Sequence, residues 1–102
     1  MTVTAELSRD GKQLTIAVKG RFDFTKHQEF RESYECTDGK MPNSVVVDLK
    51  DATYLDSSAL GMLLLLRDHA GGDRSDIRLI NSSSDVTKIL AISNFDKLFD
   101  IS

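Results

Sequence analysis

At 102 residues the chain is long enough for one hydrophobic core and too short for two domains. Hydrophobic residues make up 40% and charged residues 28%, which excludes wholesale disorder. Lys and Arg number 13 against 16 Asp and Glu, a formal net charge of −3, and the basic residues form no run. Neither nucleic acid nor an anionic membrane is therefore expected as the main partner.

The N-terminal "MTVTAELSRDGK" lacks a basic stretch followed by an apolar one, so no signal peptide is expected. Val3, Ala5 and Leu7 alternate with polar residues, as do Leu14, Ile16 and Val18, predicting two half-buried strands. Between them, Arg9-Asp10-Gly11-Lys12 carries the Asp-Gly signal of a hairpin, and Gly20 ends the second strand. Thr25 and Gln28 have capping-box spacing, and His27, Phe30, Arg31 and Tyr34 follow at helical spacing. A helix is predicted from about Thr25 to Glu35, then a loop around Pro42 that includes the lone cysteine, Cys36. One cysteine allows no internal disulfide, which suits a reducing cytoplasm.

Ser44 to Leu49 reads as a central strand covered on both faces. Ser57 to about Ala70 is the second helix, closed by Gly71-Gly72. Its apolar run, Ala59 to Leu66, is far shorter than the roughly 20 residues of a membrane span. Asp76 to Ile80 is a short strand, Asn81 to Ser84 a polar cap, Asp85 to Ile92 a third helix and "KLFDIS" a last short strand. The order ββαβαβαβ predicts an α/β fold: one domain over 1–102, with a mixed sheet of four to five strands.

No catalytic set is visible. His69 lies twelve residues beyond Ser57 on one helix, roughly 18 Å away at about 1.5 Å per residue. His27 starts another helix, and G-x-S-x-G is absent. One cysteine and two separated histidines make a poor metal set, and neither nucleotide-binding glycine motif occurs. The sequence therefore predicts neither an enzyme nor a cofactor or metal protein.

The informative stretch is "VVVDLKDATYLDSSALGMLLLLRD", Val45 to Asp68. Asp56-Ser57-Ser58 stands where a strand hands over to the most apolar helix. One of these residues can cap the helix, worth about 1 kcal/mol. A cap accounts for one polar residue and leaves a second role open, phosphorylation. A phosphate there would meet free backbone N–H groups and the positive end of the helix dipole. It would add about −1.5 to −2 charge beside Asp56, enough to expel a docked protein. On the helix, Leu60, Leu63 and Leu64 fit a buried stripe. Met62 and Leu66 fall off it and are expected to form a partly exposed apolar patch, unless flanking helices cover them.

The stretch resembles the signature of STAS-domain anti-sigma factor antagonists: a hydrophobic strand, D-L, a short loop, then D-S-S-G-L-G entering a leucine-rich helix. "GRFDF", Gly20 to Phe24, is similar to the family's G-x-[LF]-D segment, and "INSSSDVTKILAISNFDKLFDI" to its close. The resemblance implies Ser57 as the phosphorylated residue, with Ser58 the runner-up. It puts Asp23 and Asp56 in the partner-binding surface with both serines. It further implies partner switching. The bare form sequesters an anti-sigma factor, often a serine kinase of histidine-kinase-like ATPase fold, and frees a sigma factor. Phosphorylation releases that partner and a PP2C-type phosphatase resets the switch. ATP and metal belong to those partners, and a cytoplasmic monomer is implied. An alternative is an unphosphorylated STAS scaffold or subunit of a transport or signalling assembly. Ala59 stands for a family glycine, where its methyl is placed to crowd a close partner backbone. The sequence runs to Ser102, where longer relatives continue into a final helix, which suits the short members.

Overall fold

The computed structural model describes residues 2–35, 42 and 44–101; Cys36 lies outside them. Strands β1 (Val3–Leu7) and β2 (Gln13–Val18) form the expected antiparallel hairpin, paired from Val3–Val18 to Leu7–Leu14. Its turn closes through Ser8 N donating to Gln13 O at 2.8 Å. The Asp10 carboxylate accepts from the Ser8 hydroxyl at 2.6 Å and from Lys12 N at 3.0 Å. Gly11 supplies the left-handed step, φ +72°.

Strand β4 (Ser44–Asp48) pairs parallel with β2 on one side and with β6 (Ile77–Ile80) on the other. Strand β7 (Asp100–Ile101) adds to β6 in parallel. The main sheet is therefore mixed and five-stranded, in the order β1-β2-β4-β6-β7, with the fold class expected from the sequence. Helices α1 (His27–Glu35), α2 (Ser57–His69) and α3 (Ser84–Ile92) supply the cover. Across the strands, Ile16, Val47, Leu79 and Ile101 align in one row, the first three fully buried. Phe30 and Tyr34 of α1, Leu63 and Leu66 of α2, and Val86 and Leu90 of α3 close the core.

Two sequence expectations about burial change here. Strand β4 is buried on one face only: Val45 and Val47 are inside, while Val46 and Asp48 are partly exposed. The opposite face carries the cross-strand row Glu6, Thr15, Val46, Arg78 and Asp100, with Arg78 and Asp100 paired at 3.6 Å. In β1 only Val3 is buried, and Leu7 stays 49% exposed. That strand is the sheet edge. Helix α1 meets its start, where Val3 N donates to Glu29 at 3.2 Å.

Gly20 does not simply end a strand. With φ +81° it turns the chain into β3 (Gly20–Phe22), which pairs parallel with β5 (Ala52–Leu55) in a separate two-stranded ladder. Neither strand was expected, because three or four residues hold too little alternation to read. The start of α1 differs too. Asp23, not Thr25, is the capping residue, and a 3₁₀ turn at Phe24–Lys26 precedes the helix. Gln28 donates along the helix to Glu32 at 3.0 Å rather than closing a capping box.

Candidate functional site

The β3–β5 ladder brings two distant parts of the chain to one end of the fold. Phe22 and Leu55 form its last pair, both fully buried, and Asp56 N donates to Phe22 O at 3.4 Å. Asp23 and Asp56 therefore leave neighbouring strands side by side. Asp56 keeps an extended backbone, φ −108° and ψ −177°, and its Oδ1 accepts from Ala59 N at 2.9 Å. Its own carbonyl accepts from Leu60 N at 3.2 Å. The aspartate is thus the cap of α2.

That assignment leaves the serines free. Ser57 is the first residue of the helix and exposed; Ser58 is half-buried. Among the described residues the Ser57 hydroxyl has no hydrogen-bond partner, and the backbone N–H groups of Ser57 and Ser58 have no acceptor. These are the orphan donors of a helix start.

Asp23 accepts from Thr25 N at 3.0 Å and from the Thr25 hydroxyl, and lies 3.7 Å from Arg21 Nε. The Thr25 hydroxyl bond, with the Thr25 amide and the nearby Lys26 and Arg21 charges, holds its carboxyl below the usual aspartate value. Arg21 also lies over the Tyr54 ring, 5.0 Å from its centroid, as their cross-strand pairing allows. Phe24 is 71% exposed and stacked on His27 at 5.8 Å. Sequence reasoning missed Arg21, Phe24 and Tyr54. The only available signal was the apolar-polar alternation of "GRFDF", which did not show that this segment pairs beside "ATYLD".

Met62 and Leu66 are not on this surface. They are 4% and 0% exposed, so the expectation of an apolar patch there is overturned. The helix instead buries Ala59, Met62, Leu63 and Leu66, and leaves Leu64 and Leu65 exposed. Ala59 faces the core, so its methyl cannot crowd a partner.

His27 and His69 line a groove of about 450 Å³ between α1 and α2, with Tyr34 tilted against His69 at 5.1 Å. Ser57 is not among its lining residues. Burial pushes the Tyr34 hydroxyl above its usual value. Among the described residues no three His, Cys, Asp or Glu side chains gather where a metal could bind. No helix among them is long and apolar enough to cross a membrane.

Comparison with known proteins gives this geometry a family. The family model described as "Mlab, STAS domain" matches residues 5–100. The chain belongs to the STAS domain family. A STAS-domain containing protein of Pseudomonas aeruginosa strain UCBPP-PA14 is 62% identical over 102 residues, covering 100% of both chains. Among solved structures, a candidate anti-sigma factor antagonist from Thermotoga maritima superposes with a TM-score of 0.82 at 16% identity, over 97% of this chain and 84% of that one. The phosphorylated form of SpoIIAA, a Bacillus cell fate determinant, gives 0.73 at 16% identity, over 98% and 90%. At such identities the likeness is one of fold. Within that fold, Asp23, Asp56, Ser57 and Ser58 stand at one end of the domain, past the last pair of the β3–β5 ladder.

Proposed function

We propose that this STAS domain is an anti-sigma factor antagonist switched by phosphorylation of Ser57. The observation that carries the reading is the division of labour at the start of α2: Asp56 caps the helix, and Ser57 is left exposed with an unbonded hydroxyl. A phosphate on that oxygen would meet the free N–H groups of the first turn, so the fold would tolerate it. It would place about −1.5 to −2 charge beside Asp56 and Asp23. The bare form binds an anti-sigma factor, and a sigma factor goes free. The modified form lets that partner go.

The protein acts as a binding module rather than an enzyme. The phosphate comes from the partner, a serine kinase of histidine-kinase-like ATPase fold, and a PP2C-type phosphatase removes it. Asp23, Asp56, Ser57 and Ser58 form the polar part of the docking surface. Arg21, Phe24 and Tyr54 add the arginine and aromatic contacts that dominate protein interfaces. Ser58, half-buried, is the weaker acceptor. A monomer in the cytoplasm fits this role.

The test is intact mass and peptide mapping of the protein from its native cell, with and without a PP2C-type phosphatase. One phosphatase-sensitive phosphate on Ser57 is expected. Ser57→Asp should keep the fold and lose the partner, and Ser57→Ala should bind constitutively. Equal partner affinity for the two variants, with no phosphate under any growth condition, would leave an unphosphorylated scaffold or subunit as the function.

A further inference from the structure

Helix α2 turns one line of residues away from the core: Ser57, Gly61, Leu64 and Asp68, spaced one turn apart, with Leu65 beside them. Leu64 is 39% and Leu65 52% exposed. Between Ser57 and Asp68 the line carries no charge. The one basic residue of that helix stretch, Arg67, is turned aside to Asp73 at 2.8 Å.

Gly61 is the anomaly on this line. Glycine is the least favoured residue after proline inside a helix. Here its backbone is ordinary helix, without positive φ. A methyl added at its α-carbon would meet nothing within 4 Å. The fold itself therefore gives no reason to omit a side chain, and alanine would serve it better. A mid-helix glycine that neither bends the chain nor makes room inside it makes room outside it.

We infer that Gly61 is the close-approach point of the partner that Ser57 controls, and that a helix of that partner packs along the Ser57–Gly61–Leu64 line. The inference rests on the switch reading above and extends its surface from the helix tip along about two turns of α2. A helix can come nearest where no Cβ stands between the two backbones, with Leu64 and Leu65 filling the space on either side. The uncharged line suits an apolar helix face. A phosphate on Ser57 would put a double charge at the end of that line, which explains how a change at its tip dislodges the whole contact.

The test uses the full chain in its native cell. A photo-crosslinking amino acid is placed at Leu64, at Phe24 next to Asp23 in the chain, or at Glu6 on the open sheet face as a control. Each is combined with Ser57→Ala or Ser57→Asp, and the products are identified by mass. Leu64 and Phe24 should give the same protein product in the Ser57→Ala background and none with Ser57→Asp; Glu6 should give none. Gly61→Ala should raise the melting temperature by roughly 4–8 °C. It should also lower the Phe24 crosslink yield about fivefold or more, and Gly61→Leu should lower it further. A Phe24 product that is Ser57-dependent but unchanged in both Gly61 variants, or absent from Leu64, overturns this inference and leaves the switch standing. A melting temperature that falls in Gly61→Ala overturns it too, since the glycine would then serve the fold. If neither position gives a Ser57-dependent product, the switch reading fails, and this inference with it.

Discussion

Asp23 and Asp56 stand one residue past the last pair of the β3–β5 ladder, and each caps the helix that follows its strand. Asp23 accepts from Thr25 N at 3.0 Å and Asp56 from Ala59 N at 2.9 Å. Two carboxylates that are used locally in this way can lie side by side at a surface without being spent on one another.

The cap and the proposed acceptor are separable by mutation. Asp56→Ala should cost about 1 kcal/mol, a fall of roughly 4–8 °C in melting temperature. Ser57→Ala should stay within about 0.5 kcal/mol of the parent. Urea denaturation of both variants checks this. An equal loss for Ser57→Ala would mean that its hydroxyl shares the cap.

The depressed Asp23 carboxyl gives an acid-side signature. Its folded value lies below the ordinary 3.8, chiefly through the Thr25 hydroxyl, so the unfolded chain binds this proton first as pH falls. Stability from Asp23 is thus fully present above 3.8 and is lost as pH drops from there through the folded value. Asp23→Asn and Thr25→Val should each flatten this limb in a series of thermal melts between neutral and acid pH. An unchanged slope in both would show that the Thr25 bond is not held in solution.

Helix α2 should show its true phase by its stability map. Leu66→Ala and Met62→Ala should each cost about 2–5 kcal/mol, as buried truncations do. Leu65→Ala should cost under about 1 kcal/mol. Chemical denaturation of the three variants distinguishes this phase from one with Met62 and Leu66 outward.

Restoring glycine at position 59 is a matched control for the site. Ala59 is fully buried. Ala59→Gly should lose about 1 kcal/mol in helix propensity and about 0.8 kcal/mol in buried methyl, with partner affinity unchanged. A change in affinity, measured calorimetrically against the partner, would mean that this face of α2 opens on binding.

The parts of this molecule that were legible in advance are those in which near neighbours decide. The Asp10-Gly11 turn, the Gly71-Gly72 stop and the hand-over at Asp56-Ser57 each rest on residues within one turn of chain. The β3–β5 ladder was not legible, since it joins residues more than thirty apart in the sequence through only three pairs. The face of α2 was not legible for the opposite reason. Its leucines point in nearly every direction, so the run holds no phase of its own. Asp56 starts the helix, and the neighbouring elements then choose which leucines to cover.

The ladder that carries Asp23 and Asp56 is much the slighter of the two sheets. It has three pairs with a register shift after Gly20, against five unbroken pairs in both β1–β2 and β2–β4. Backbone so thinly tied opens more often than a central sheet does. The amides of β3 and β5 should therefore exchange with solvent hydrogen ahead of those in β4, while Phe22 and Leu55 keep the strands from drifting apart. The surface proposed for docking would then breathe faster than the body that holds it, at a pace open to tuning without touching the core.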